Sequence, residues 1–342
     1  MTSRSLLVVN YRSAALTADA IRSARAASSE PLQVVVVDNS CDAGEAAALR
    51  AHADVLLVSD TNRGYAGAIN LGRRSCDGAL LIVSNPDVIF ASHAIDELVA
   101  QDAAVAGPAF FWDDAHRWLL PPAELHSGLE KASEVLASRS RAWRAQRDRR
   151  RFFARVAFWE LTRPTRVAAL SGAVMAIRTR DFDDAGGFDE RFALYFEETD
   201  FLRRIAELRR PIVYVPAARC RHLYNQSAGQ VASEAAARYA QSELRYLEKW
   251  NGPFVARTLK NFERPIVAGE APEAELVLPR IDGVVVEASP LPTFDTAAGH
   301  FPRERTISLP PEVRESFRGG ALHLRAVDRR SGEVLATVRA VK

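Results

Sequence analysis

Cysteine is scarce. The three in 342 residues, Cys41, Cys76 and Cys220, stand far apart and form no CxxC pair, so neither a zinc knuckle nor a disulfide framework is indicated. A reducing compartment suits such a chain. Long hydrophobic runs are also missing: the first apolar stretch, Leu6 to Val9, is broken by Asn10, Tyr11 and Arg12 before a signal-peptide core or a membrane span would be complete. The expectation is a cytoplasmic protein, with attachment to the inner face of a membrane left open. Net charge is only +2, so attraction to phosphate, nucleic acid or membrane must come from a local patch and not from the whole-molecule field. The GxGxxG turn that follows the first strand of a dinucleotide-binding fold is absent, which argues against a dehydrogenase. No internal repeat is evident.

What is present is the composition of a folded protein, 48% hydrophobic and 26% charged. The length exceeds what one compact core usually organises, so a main domain plus a smaller one is expected. Four short aliphatic runs recur early, Leu6 to Val9, Val34 to Val37, Val55 to Val58 and Leu80 to Val83. Between them lie stretches with helical spacing: Leu16, Ala20, Ile21 and Ala24, then Ala46 and Leu49, then Ala66, Ile69, Asn70 and Arg73. Continuously apolar strands alternating with helices require a parallel sheet covered on both faces, so the first hundred or so residues read as a doubly wound α/β domain. In such sheets ligands bind beyond the carboxyl ends of the strands. The residues at those positions here are polar.

Residues 121–166 change character to a helix-like segment rich in arginine, with Phe152, Phe153, Phe158 and Trp159 interleaved. It can lie on an anionic membrane surface or form a helical flap whose arginines face water or acidic groups elsewhere. Ala232 to Trp250 reads as a helix ended by Asn251, Gly252 and Pro253. Beyond Pro265 the chain becomes strand-like at Glu275 to Leu278, Gly283 to Ala288, Arg305 to Leu309, Ala321 to Val327 and Val334 to Val341, with a hairpin turn at Ser331 and Gly332. Residues 265–342 are therefore expected to form a small β-sandwich-like domain beside a main domain of residues 1–262. Glycan binding, dimerisation and bracing are all open to it. It lacks tryptophan, which disfavours a sugar-stacking platform, and Phe294, Phe301 and Phe317 are expected in its core.

Asp38, after the second strand, offers a carboxylate to a base N–H or caps a turn. After the third, Asn62 to Asn70 supplies small residues, Gly64 among them, beside a helix N-terminus where a base or phosphate can approach the backbone. After the fourth, Asn85-Pro86-Asp87 presents an acid suited to Mg²⁺ or Mn²⁺, which takes one or two oxygen ligands from protein and the rest from water and phosphates. Much later come Leu170 to Met175, Gly186-Gly187-Phe188-Asp189-Glu190, Glu197-Glu198-Thr199-Asp200 and His222. Singly, each has an ordinary structural reading. The acids at a helix start suit the helix dipole, and Asp200 with Arg204 looks like a surface pair.

As an ordered set, these pieces resemble family 2 glycosyltransferases, nearest to their bacterial rhamnosyltransferase-like members, over about residues 5–250. The resemblance implies a GT-A fold and a metal-dependent, inverting single displacement in bacterial glycan synthesis. The partners implied are a dTDP- or UDP-sugar donor, with rhamnose a candidate, and a glycan or lipid-linked glycan acceptor. On this resemblance Asn10, Asp38, Asn62, Gly64, Asn70 and Asn85 contact the nucleotide, and Asp87 and His222 hold the metal. Gly172, Gly187, Phe188 and Asp189 border the donor and acceptor sugars. Glu198 is the base, with Glu197 as its alternative, since Glu198 stands where many relatives carry Asp. Asn85 replaces the first acid of the general Asp-x-Asp pattern. The rival from another class is a non-catalytic nucleotide-sugar or glycan-binding protein on the same fold. A nucleotidyltransferase is disfavoured because Asn10 to Ser13 contains no glycine, and nucleic-acid binding because no recognition motif accompanies the basic stretch. Homo-oligomerisation and peripheral membrane contact are open.

Overall fold

The computed structural model describes residues 3–192, 194–223, 232–266, 271–316 and 321–340. The expected alternation begins at once: β1 (Arg4–Asn10), α1 (Ala14–Ala26), β2 (Leu32–Asp38), α2 (Ala43–Leu49), β3 (Val55–Val58), α3 (Gly64–Arg73) and β4 (Leu80–Ser84). Leu6, Leu7, Val34 to Val37 and Leu81 to Val83 have no exposed surface, as strands covered on both faces require. Parallel pairing places Leu6 beside Val34 and Ile82. Asp42 caps α2 by accepting from Gly44 N and Glu45 N. A Cβ on Gly72 would lie 2.3 Å from Leu7 Cδ1, so α3 approaches the sheet more closely than any side chain at that position permits.

The chain continues through β5 (Val88–Phe90), α4 (Ala94–Val99), β6 (Val105–Phe111) and β7 (Trp118–Leu119) into two helices, α5 (Gly128–Arg139) and α6 (Arg141–Trp159). Ser127 Oγ accepts from Glu130 N at the start of α5 and Ser140 Oγ from Trp143 N at the start of α6. Then follow β8 (Thr165–Arg166), β9 (Val174–Arg178), α7 (Thr179–Asp184), α8 (Glu197–Glu207) and β10 (Ile212–His222). Helix α9 (Ala232–Asn251) stops where expected, Gly252 takes φ +84°, and Pro253 starts α10 (Pro253–Phe262).

The C-terminal elements are β11 (Leu276–Val277), β12 (Val284–Ser289), β13 (Ala298–His300), β14 (Thr306–Ile307), α11 (Pro311–Ser316), β15 (His323–Asp328) and β16 (Val334–Arg339). One sheet runs β16-β15-β12-β13-β7-β6-β9-β4-β1-β2-β3, with β10 on β6 and β5 on β10. The antiparallel C-terminal strands are thus hydrogen bonded to the α/β sheet through β13 and β7, where Gly299 meets Leu119. Their core, in which Leu276 and Ile307 of β11 and β14 join Val286, Leu324 and Val338, also takes in Trp112, Trp118 and Leu120 from around β7. Phe294 is buried and Phe301 packs beside Trp159. Phe317 lies outside the described residues.

The arginine-rich segment turns much of its charge inward. Arg147 bonds Glu130 at 3.0 Å, Arg151 bonds Glu124 at 2.6 Å, and Arg155 bonds Glu287 of β12 at 2.6 Å. Arg147 and Arg155 are buried. These contacts agree with the flap alternative, in which the arginines meet acidic groups elsewhere. Among the described residues no helix is long and apolar enough to cross a membrane.

Candidate active site

The strand tips carry the polar residues expected there, but several look inward. Asn10 has no exposed surface; its Nδ2 donates to Asp38 Oδ1 and Glu45 Oε2, both at 2.9 Å, and its Oδ1 accepts from Ser13 N, Ser13 Oγ and Thr17 Oγ1. Both of its donors and its acceptor are therefore occupied by protein. Asp38 Oδ1 also accepts from Ser40 N at 3.1 Å, whereas its Oδ2 is buried with no partner. Such an orphaned acceptor typically costs about 1–3 kcal/mol and calls for an explanation. Asn39, which motif reading passed over, pins the next loop: its Nδ2 donates to Asn62 Oδ1 at 2.9 Å and Gly64 O at 3.1 Å, and its Oδ1 accepts from Arg63 N. Asn62 Oδ1 takes Gly64 N as well.

At the fourth tip the antiparallel register of β5 and β10 sets His222 beside Val88. His222 Nε2 then lies 3.3 Å from Asp87 Oδ1, and Leu223 N donates to Asp87 O. Burial would raise the Asp87 carboxyl, yet the charge and hydrogen bond of His222, with a backbone donor, hold it below its ordinary range. Among the described residues no group of three His, Cys, Asp or Glu side chains could hold a metal ion. The pair nevertheless fits a hard divalent cation that takes most of its ligands from water and phosphate: at ligand distances of about 2.1 Å, two adjacent donors sit about 3 Å apart. Asn85 N donates to Ala173 O at 2.8 Å, joining this tip to the Ser171 to Ala173 turn.

Helix α8 opens from two consecutive left-handed residues, Tyr195 and Phe196, each with φ 69°. Non-glycine residues held there cost about 1–3 kcal/mol each and cluster at functional sites. Packing of Phe192, Phe196 and Tyr246, with His126 4.8 Å from Phe196, enforces the turn. It delivers Glu197 into the interior, where Oε2 has no partner, and lays Glu198 across Gly172. Burial, then the neighbouring Glu198, push Glu197 well above the ordinary carboxylate range. Glu198 is also raised by burial, but its own and Thr199's backbone N–H groups and the Thr199 hydroxyl oppose the shift. Two carboxylates this close resist double ionisation. Of the two, Glu197 is raised the further and its Oε2 has no partner, whereas Glu198 has backbone and hydroxyl donors.

Tyr65 lies within the Asn62 to Asn70 segment but has no role of its own in the sequence reading. Its hydroxyl is 3.5 Å from Gly172 O, and burial followed by the charges of Glu197, Glu198 and Asp87 drives its ionisation far upward. Acids from the turn before β5 and from α8 thus bear on one phenol. An aromatic inside a glycine-rich turn was the available signal.

The Gly186-Gly187 turn has φ of 77° and 69°. Asn70 secures it rather than facing outward: Nδ2 donates to Phe188 O at 2.8 Å and Glu190 Oε1 at 2.9 Å, and Oδ1 accepts from Phe188 N. A Cβ on Gly187 would lie 2.6 Å from Asn70 Oδ1. Phe188 is buried against Phe182 and Phe201. Asp189 accepts from Arg191, and these bonds together with Lys249 outweigh burial and leave it far below its ordinary range. Lys249 Nζ bridges Asp189 Oδ2 at 2.8 Å and Asp200 Oδ1 at 2.6 Å. The surface-pair expectation for Asp200 is corrected: it is fully buried and receives Arg204 and Trp250 Nε1, both at 2.9 Å, so it ties α8 to α9.

The sheet order, with acids gathered at its carboxyl edge, agrees with a GT-A glycosyltransferase. A family model described as glycosyltransferase like family 2 matches residues 4–241, and the chain belongs to that family. Two Mycobacterium tuberculosis proteins, from strains CDC 1551 / Oshkosh and ATCC 25618 / H37Rv, are each 29% identical over 250 residues, covering 66% of this chain and 78% of theirs; both are named N-acetylglucosaminyl-diphospho-decaprenol L-rhamnosyltransferase. Among solved structures, a mannosyltransferase from Pyrobaculum calidifontis in complex with GDP-Man and Mn²⁺ aligns with a TM-score of 0.48 at 15% identity, over 75% of this chain and 70% of that one. GalNAc-T7 with UDP, GalNAc and Mn²⁺ aligns with a TM-score of 0.45 at 13% identity, over 84% and 63%.

Proposed function

We propose that this glycosyltransferase moves a sugar, rhamnose by analogy with the mycobacterial relatives' name, from a dTDP- or UDP-sugar to a hydroxyl of a glycan or lipid-linked glycan. Transfer proceeds by an inverting single displacement with Mg²⁺ or Mn²⁺, at the inner face of the membrane. The observation that carries this reading is geometric: the Ser171 to Ala173 turn receives Glu198 against Gly172, the Tyr65 hydroxyl at Gly172 O and Asn85 N at Ala173 O, so the Asp87–His222 tip and the α8 acid meet at one turn. Residues 1–262 hold the reaction, and residues 265–342 brace the arginine-rich flap.

Asp38 Oδ2 supplies the vacant acceptor that a uracil or thymine N–H fills. The loop of Asn62 and Gly64, fixed by Asn39, lies beside it. Asn10 and Asn70 act by positioning, since their amides are bonded to protein. A cation held by Asp87 and His222 would neutralise charge growing on the leaving diphosphate. Glu198 removes the acceptor proton while the acceptor oxygen attacks the anomeric carbon, and Glu197 keeps its own proton, so only one negative charge occupies the pair. The Gly172 and Gly187 turns bring backbone close to the sugars, with Asp189 at the acceptor side.

Thermal stability measured against UDP-, dTDP- and GDP-sugars, with and without Mn²⁺ or Mg²⁺, tests the proposal. Saturation a hundredfold above Kd adds about 2.7 kcal/mol. A metal-dependent shift with one nucleotide class, followed by product release, supports it. A shift with no sugar transfer to any acceptor favours a binding protein instead.

A further inference from the structure

A second cavity, of about 280 Å³, opens between α6 and the C-terminal strands, and none of its lining residues belongs to the catalytic cleft. Its size stands at the lower end of small-ligand sites, enough for one sugar unit. Three guanidinium groups line it, and two are largely committed. Arg325 bonds Glu287 at 2.6 Å and lies flat on Phe294, 4.3 Å from the ring centre. Arg147, itself buried, bonds Glu130 and, at 3.4 Å, Asp295, but its Nε is buried without a partner. Arg144 has only a bond from Nε to Ala137 O and no acidic partner among the described residues. Among the described residues, Arg144 therefore brings to the cavity wall a positive charge that no acid shares.

The remaining lining suits hydroxyl groups. Thr337 offers a hydroxyl and Asp148 its carboxyl oxygens, whereas Thr293 already donates to Asp295 Oδ2 at 2.6 Å and Asp295 Oδ1 receives Arg147 and Arg151. Burial and the charge of Asp295 raise the Asp148 carboxyl, against the pull of Arg325, Arg147 and Arg151. Phe294 is fixed at φ +56°, a strained conformation of the kind that recurs at ligand clamps.

We propose that this cavity is a second binding site, for a single saccharide unit bearing one carboxylate or phosphate. The anion takes Arg144, the sugar hydroxyls take Thr337 and Asp148, and Phe294 closes the apolar side. The site stands independently of the donor and acceptor assigned to the catalytic cleft.

Titration calorimetry of the full chain with glucuronate, glucose 1-phosphate, glucose and inorganic phosphate tests it, using wild type, Arg144→Ala, Thr337→Val and the cleft variant Asp38→Ala. Arg144→Ala removes one bond to a carbonyl and leaves basal transfer unchanged. At least one sugar anion is expected to bind tenfold or more tightly than glucose, and the tighter of the two names the anion. Arg144→Ala should abolish that preference, Thr337→Val should weaken binding of the sugar anion, and Asp38→Ala should change neither. No binding of either anion, an equal affinity for glucose, inorganic phosphate binding as tightly as the sugars, or loss in Asp38→Ala with retention in Arg144→Ala would each overturn the proposal.

Discussion

Glu198 lies across Gly172: a Cβ built on the glycine would sit 3.0 Å from the glutamate Cγ and 3.1 Å from its Cβ. Contact so near the main chain of α8 cannot be relieved by swinging the carboxylate alone. Gly172→Ala is expected to displace Glu198 and lower turnover by up to about 10²-fold, the scale of a misplacement near 1 Å. The melting temperature and donor affinity should change little. Steady-state kinetics would show it, and an unchanged kcat would detach Glu198 from the reaction geometry.

Direct removal of the base should cost more. Glu198→Gln keeps the shape over Gly172 but accepts no proton, so turnover is expected to fall by about 10² to 10⁴. Donor affinity, carried by the strand tips, should persist, and the loss should appear in kcat rather than KM. Turnover near wild type in this variant would end the assignment.

Asp87 and His222 face one another across β5 and β10. Asp87→Ala and His222→Ala should each weaken Mn²⁺ affinity at least as much as the about 10- to 100-fold typical of losing a ligand's supporting partner. The metal-dependent part of the donor-induced thermal shift should vanish, while any metal-independent part remains. A full metal-dependent shift in both variants would move the cation elsewhere.

How far these residues could be read in advance depended on what each signal encodes. Val34 to Val37 announces a strand because four consecutive β-branched residues suit a pleated strand buried on both faces, and that is its position. Asn10 and Asn70 look the same in sequence whether they bind ligand or hold a loop; only the hydrogen-bond inventory separates the two roles. The approach of His222 to Asp87 depends on strand register over a long chain separation, which no local pattern carries. Asp200 reads as a surface acid four residues from Arg204, yet α9 covers it. Trp118 and Leu119 form a strand too short for periodicity to reveal, and through it the C-terminal strands join the main sheet.

Glu197 links the site to stability. In an unfolded chain it ionises in the ordinary glutamate range, whereas in the folded protein burial and Glu198 keep its proton well above that range. Between the two values the folded state holds a proton that the unfolded state has released. Stability is therefore full below the ordinary range and is lost as pH rises through the raised value. Glu197→Gln cannot titrate, so its melting temperature should decline less on raising pH and exceed that of wild type at the alkaline end. Its turnover should fall far less than that of Glu198→Gln. A larger loss in Glu197→Gln would exchange the roles of the pair.

Arg155 of α6 and Arg325 of β15 share Glu287, a carboxylate with no exposed surface, through contacts of 2.6 Å each. Gly299 of β13 lies directly beneath Trp159 at the end of the same helix. This joint seats the flap on the C-terminal strands. Glu287→Gln leaves the buried Arg155 and the partly buried Arg325 without their shared negative charge, and removing one partner of such a cluster typically destabilises by about 3–5 kcal/mol. Chemical denaturation should show a loss of that order. If the C-terminal strands only brace the flap, sugar transfer measured well below the new melting temperature should remain near wild type. A folded Glu287→Gln protein that no longer transfers sugar would instead place the joint within the catalytic cycle, because the flap would then have to hold a set position for Glu198 to meet its acceptor.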